Sequence, residues 1–154
     1  MPKLLTTRGD YGLLLVTYLA REPREEPISL SEIASHFGLS QSFLEQIAAD
    51  LRRARLIFAR RGKDGGYFLV RDPSLISVIE VLEALEGPLQ VVSCQDGTCL
   101  VSENCSTRDF WMVFQKYIHR TLREITVADL LDQSPHKLLS VTYGGESVGS
   151  AKKS

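Results

Sequence analysis

Residues 28–57, ISLSEIASHFGLSQSFLEQIAADLRRARLI, set two short amphipathic helices around one glycine, and this pattern constrains the fold more than any other stretch. Ser29 with Glu32 matches a capping box, and Ile33, Ala34 and Phe37 recur at helical spacing. Gly38 suits the left-handed residue that ends a helix. Ser40 can cap the second helix, whose apolar side is Phe43 or Leu44 with Ile47 and Leu51. Residues 56–70, LIFARRGKDGGYFLV, follow as two β-prone segments around K-D-G-G, a hairpin signal. Helix, turn, helix and basic hairpin is the order of a winged helix-turn-helix.

The flanking segments are helical. Thr7 can cap a first helix reaching about Arg21, with Leu13, Leu14, Tyr18 and Leu19 on its apolar side, before the charged loop REPREEP. Asp72-Pro73 ends the wing, and SLISVIEVLEALEG, residues 74–87, reads as a helix stopped by Gly87-Pro88. Residues 106–125, STRDFWMVFQKYIHRTLREI, form a long amphipathic helix in which Phe110, Val113, Phe114, Tyr117, Ile118, Leu122 and Ile125 recur at three- and four-residue steps. Thr126 can cap a short last helix, TVADLL. The fold class expected is mostly α with a small β-hairpin wing: a winged helix-turn-helix DNA-binding domain over residues 1–72 and a disordered tail over 142–154. Between them, 73–141 hold a connecting helix, a cysteine loop and a dimerisation helix. The aromatic stripe of that helix lies outside the winged domain and needs burial. The same helix of a second copy can supply it, giving a two-fold-symmetric homodimer suited to a palindromic site. The alternative is a helix folded back on its own domain.

A chain of 154 residues suffices for one core with an appendage. Its net charge of −1 conceals an asymmetry: residues 40–71 carry +4, residues 72–154 carry −4, and residues 1–39 carry −1. A basic middle in a near-neutral chain suggests a face made for a polyanion, although such charges also solvate helices and hairpins. Arg8, Gly9 and Asp10 interrupt the apolar run near the start, so a helix accounts for it better than a signal peptide or membrane span. The expected location is cytoplasmic, where thiols favour metal or redox chemistry over structural disulfides. The glycines Gly62, Gly65 and Gly66 match no G-x-x-x-x-G-K-[ST] phosphate loop and are read as turn residues.

Every cysteine falls in one stretch, SCQDGTCLVSENCS, as Cys94, Cys99 and Cys105 with spacing C-x4-C-x5-C. Three thiolates are soft ligands for an iron–sulfur cluster or zinc, one short of four. A structural zinc site, three inert thiols, a metal-free thiol redox switch and a cluster all stay open. No acid–base pair or nucleotide motif speaks for an enzyme, which leaves an iron–sulfur redox enzyme or electron carrier as the weakest alternative.

With TTRGDY near the start, LSQSFLEQ, RRGKDGGYFL, the three cysteines, and DFW followed by REIT in that order, the chain resembles the IscR/NsrR-type family of iron–sulfur winged-helix regulators over about residues 4–131. The resemblance implies a cytosolic homodimer that binds double-stranded promoter DNA, is not an enzyme, and senses the state of a cluster. In a winged helix the second helix enters the major groove, so Ser40, Ser42, Phe43, Glu45 and Gln46 become the base-reading candidates. Arg61 at the wing would enter the minor groove, while Arg52, Arg53, Arg60 and Lys63 would meet phosphates. IscR-like members carry a histidine ligand three residues after the last cysteine, and here that position is Arg108, which cannot ligate. His119 lies too far along its helix, and His36 and His136 read as structural or surface residues. NsrR-like members complete a [4Fe-4S] cluster with an aspartate from the partner's first helix, and Asp10 stands at the matching position. Such a carboxylate leaves its iron open to nitric oxide or oxygen. Asp10, three residues after Thr7, also suits a capping box. The first cysteine interval is shorter than the family's usual one, so a [2Fe-2S] cluster using Asp10 or Glu103 is the second option.

Overall fold

The computed structural model describes residues 6–21, 26–92 and 104–132. Cys94, Cys99, Glu103, His136 and the tail over 142–154 lie outside the described residues. Helix α1 spans Thr7–Ala20, α2 Leu30–Phe37 and α3 Gln41–Arg53. Strands β1 (Ile57–Arg60) and β2 (Gly66–Leu69) form the wing, followed by α4 (Val78–Glu86), α5 (Arg108–Glu124) and α6 (Val127–Leu131).

The N-cap of α1 is Thr6 rather than Thr7: its side chain accepts from the Arg8 N–H. The next free N–H, that of Gly9, donates at 2.9 Å to Glu86 Oε1, at the far end of α4. A carboxylate from a distant helix thus does the work of a local cap, and it suits the positive end of the helix dipole. Asp10 therefore sits one residue beyond the reciprocal capping position and takes no part in a capping box. Helix α1 is apolar on most sides because it packs against α3, α4 and α6. Leu15 and Val16 are its most deeply buried side chains, while the expected Leu13 and Leu14 are only half-buried.

Ser29 caps α2 by accepting from the Glu32 N–H at 3.1 Å, and Gly38 ends the helix at φ 66°, as its sequence suggests. Leu44, Ile47, Ala48 and Leu51 bury one side of α3, leaving Phe43 half-exposed. In the wing, Ile57 pairs with Leu69 and Arg60 with Gly66. Ile28 adds a one-residue bridge, exchanging hydrogen bonds of 3.1 and 2.8 Å with Tyr67. That close approach is why Gly66 has no side chain: a Cβ there would lie 2.6 Å from the Ile28 carbonyl.

Helix α4 begins at Val78, later than the sequence suggests. Asp72 caps a single turn over Pro73–Leu75, and Ser77 with Glu80 then forms a full capping box. Helix α5 does not stand clear of the rest. Gln115 is buried and fastens α5 to the segment after α4, donating to Leu89 O at 2.6 Å and accepting from Val91 N–H at 2.7 Å. Leu122 and Ile125 pack with Val78, Ile79, Leu82 and Leu89 in a second apolar cluster. Phe110, Val113, Phe114 and Tyr117 face outward instead, at 60, 67, 36 and 46% exposure. The single stripe expected from spacing is therefore two adjoining faces, because steps of three and four residues spread over a wide arc. After α5 the chain returns: Ser77 bridges Thr126, and Val127 is fully buried in the main core with Leu15, Ile47, Leu51, Ile76 and Val81.

The Ile28 contact makes Gly66→Ala a stringent check. It should cost about 1–3 kcal/mol in urea unfolding, the range of overpacked sites, because the obstruction is backbone and cannot rotate away.

Candidate functional site

The first turn of α3 projects from the surface. Ser40, Gln41, Ser42, Glu45 and Gln46 are exposed, and Phe43 meets Tyr11 edge-on with ring centroids 5.8 Å apart. Phe43 is thus shared between packing and surface. Ser40 occupies the N-cap position but makes no capping bond; its hydroxyl lies 3.1 Å from that of Ser42. The pair of hydroxyls is left facing outward, a donor–acceptor combination suited to phosphates or base edges. Gln41, which sequence reading passed over, donates to Glu45 Oε1 at 3.1 Å and orients that carboxylate. Its only signal was its place as the residue after Ser40, at the start of the helix.

Positive charge gathers on two further segments. At the end of α3, Arg52 and Arg53 are exposed, with Arg53 held by Asp50 at 2.7 Å. In the wing the Arg60 guanidinium lies 5.4 Å from the centre of the Phe68 ring, a cation–π arrangement that stiffens the hairpin. Arg61 and Lys63 stand exposed in the connection from β1 to β2, with no hydrogen bond or ion pair among the described residues. Gly62 in that connection has φ 121°, and the Gly65 N–H closes the turn on the Gly62 carbonyl at 3.1 Å. Unpaired cations on a short, closed turn cost little to redirect toward a polyanion.

The cysteine site is seen at one end. Cys105 lies just before α5, half-exposed, with its sulfur 3.5 Å from the Thr107 hydroxyl. Hydrogen bonding from Thr107, with help from Arg108, holds its thiol below the usual cysteine range. A thiolate at a helix start is the form that binds metal or reacts with oxidants. Asp10 is exposed, and its carboxylate makes no hydrogen bond or ion pair among the described residues. It lines a cavity of about 420 Å³ with Leu13, Leu14, Thr17, Leu130 and Leu131. Among the described residues no three His, Cys, Asp or Glu side chains converge as a metal site.

In donor chemistry, a soft cysteine sulfur and a free carboxylate are groups that could serve an iron–sulfur cluster, and Cys105 and Asp10 are described residues of that kind. The two described histidines are otherwise engaged. His119 Nε2 lies 2.6 Å from both the Leu89 carbonyl and the Gln115 amide nitrogen, and His36 packs its ring 4.9 Å from that of Tyr18. The geometry at α3 also yields a stability contrast. Ser29→Ala should cost about 1 kcal/mol, as a lost cap does. Ser40→Ala should stay within about 0.5 kcal/mol, as an exposed substitution does. Chemical denaturation of the two variants checks both values.

Comparisons with known proteins agree with this arrangement. The Rrf2 family model, described as an iron-dependent transcriptional regulator, matches residues 5–133. The chain is 39% identical over 131 residues to ORF2 of Azotobacter vinelandii, which bears the name of an HTH-type transcriptional regulator; the match covers 84% of this chain and 80% of that one. The structure of CymR, the global cysteine regulator of Bacillus subtilis, aligns with a TM-score of 0.76 at 34% identity, covering 87% of this chain and 99% of CymR. The structure of IscR from T. potens aligns with a TM-score of 0.67 at 37% identity, covering 83% and 85%. With the family model matching residues 5–133 and relatives above 30% identity over most of its length, the chain belongs to the Rrf2 family of transcription regulators.

Proposed function

We propose that this regulator is a cytoplasmic homodimer that binds palindromic promoter DNA and senses an iron–sulfur cluster held by Cys94, Cys99, Cys105 and the partner's copy of Asp10. The observation that carries the reading is the state of Asp10. Its alternative role as a cap is filled by Thr6 and Glu86, and its exposed carboxylate is free of intrachain bonds among the described residues. A [4Fe-4S] cluster is the favoured occupant, with [2Fe-2S] the other option, and such a group supplies an iron that nitric oxide or oxygen can reach. Within this reading, Ser40, Ser42, Phe43, Glu45 and Gln46 enter the major groove and Arg61 the minor groove, while Arg52, Arg53, Arg60 and Lys63 lie along phosphates.

A homodimer is supported by the outward stripe of α5. Phe110 stacks on Phe114 with ring centroids 6.0 Å apart and meets Trp111 edge-on, so the aromatic surface is already ordered. A second copy offers the same stripe, and a two-fold interface requires such self-complementarity. A metal-free thiol switch is the second reading. It is favoured by the half-exposed Cys105 with its lowered pKa and by likeness to CymR, named as a global cysteine regulator.

Iron and acid-labile sulfide content, with Mössbauer spectra, of anaerobically purified wild type and Asp10→Ala tests the cluster. The expected result is four irons per subunit with one distinct site, and loss of that distinct site in the variant. Two irons would select the smaller cluster. No iron after anaerobic reconstitution would reject the cluster and leave the thiol switch.

Sedimentation tests the dimer. Val113→Asp touches no core residue and should leave the fold intact while giving monomers. Binding to a duplex with two half-sites should then weaken by roughly 10²-fold, the loss expected when linked sites separate.

A further inference from the structure

The first turn of α1 joins three elements. On one side Glu86, the last residue of α4, accepts from the Gly9 N–H at 2.9 Å and from the Thr6 hydroxyl. On another the Arg8 guanidinium pairs with Asp50 of α3, whose second carboxylate oxygen holds Arg53 at 2.7 Å. Asp10 occupies the exposed side of the same turn.

These contacts differ from ordinary surface ion pairs. The Asp50 side chain is only 16% exposed, and the Arg8 Nε is buried with no acceptor among the described residues. Separating Arg8 from Asp50 would leave both groups partly desolvated, so the bond favours one register of α1 against α3 over neighbouring registers. Arg53 is 78% exposed and depends on the same carboxylate for its position at the end of α3. Glu86, for its part, lies eight residues before Cys94, and Gly9 and Gly12 let α1 lie close against Leu82 and Leu85 of α4. Any movement of the end of α4 therefore reaches Arg8 through one turn of helix.

We propose that the Thr6–Asp10 turn couples the cysteine segment to the recognition helix, with Glu86 on the sensing side and Asp50 as the positioning residue on the DNA side. The proposal deepens the sensor reading above and rests on it for the identity of the signal. It gives the coupling a contact with two arrangements, Arg8 bound to Asp50 or released, that both ends can bias. Asp50 touches no DNA in this scheme. It sets where Arg53 and the first turn of α3 stand.

Hydrogen–deuterium exchange on the full chain, stripped of metal, tests the junction without any cluster. Glu86→Gln removes the charged cap of α1 and should speed exchange several-fold across α3, while α2 stays unchanged. In an Asp50→Asn background the same substitution should add nothing to α3 exchange. The exchanged pair, Arg8→Asp with Asp50→Arg, should restore the response. Equal acceleration in both backgrounds, or none in the wild-type background, would overturn the proposal. A second arm loads wild type and Asp50→Asn anaerobically with iron and sulfide. Loading should alter α3 exchange in the first and not in the second, and an equal change in both overturns the role of Asp50. If wild type takes up no iron, the cluster reading fails by itself, and the metal-free arm decides the junction.

Discussion

A short antiparallel tie holds the molecule together. The Val127 N–H donates to the Ile76 carbonyl at 2.8 Å, and the Val78 N–H donates to the Ile125 carbonyl at 2.9 Å. These two bonds fasten the start of α4 to the end of α5. They also place Val127 in the core that α1, α3 and the wing share. A helix-turn-helix with one hairpin has little apolar surface to bury by itself. The returning segment supplies part of what is missing, and α6 then closes against α1. Helix α4 already packs on α1 and α3, and the tie brings the end of α5 back to the start of α4. With it α4 and α5 form a closed arm whose two ends are fixed at one place.

Much of this was legible in the residues. The capping Ser29 and Thr126, glycine at 38 and the K-D-G-G turn are local signals, and local signals report local geometry. The departures have two causes. Thr6 displaced Thr7 as cap beside a distant carboxylate, Glu86, that takes its hydroxyl and the Gly9 N–H, while α4 began late because Asp72 and Ser77 cap two successive helical starts. Glu86 is eighty residues from the hydroxyl it binds, and no window of sequence reveals such a partner. The long helix shows the same limit. Its spacing announced an apolar band, but not that Leu122 and Ile125 would turn toward α4 while Phe110 and Val113 turned away.

The site divides in the same manner. Exposed residues on α3 and in the wing follow from the helix-turn-helix pattern, since a pattern that fixes the buried side also fixes the opposite one. Ser40 is the exception: its type predicts a cap, while its hydroxyl lies against Ser42 instead. The charges could be counted but not paired. Asp50 looked like one acid among arginines, with Arg53 at a favourable i, i+3 distance; nothing in the sequence pointed to Arg8, forty-two residues earlier. Asp10 was a ligand candidate by resemblance already, with a rival role as a cap that the structure gives to Thr6 and Glu86 instead.

The closed arm has a consequence for how such proteins can diversify. Because both ends of the arm are pinned by the tie, and Gln115 adds a clasp at Leu89 and Val91, the chain enters the cysteine stretch from a held point and leaves it into a held helix. Between two anchored points, chain length enters stability chiefly through closure entropy. Even a doubling costs only about 0.6 kcal/mol. Cysteines can thus be moved closer, spread apart or lost while the DNA-facing half stays intact. A shortened first interval, as in C-x4-C-x5-C, is then a variation the scaffold tolerates at almost no expense. One architecture can in this way host different chemistries at the same bend, each free to drift in spacing until it suits its signal.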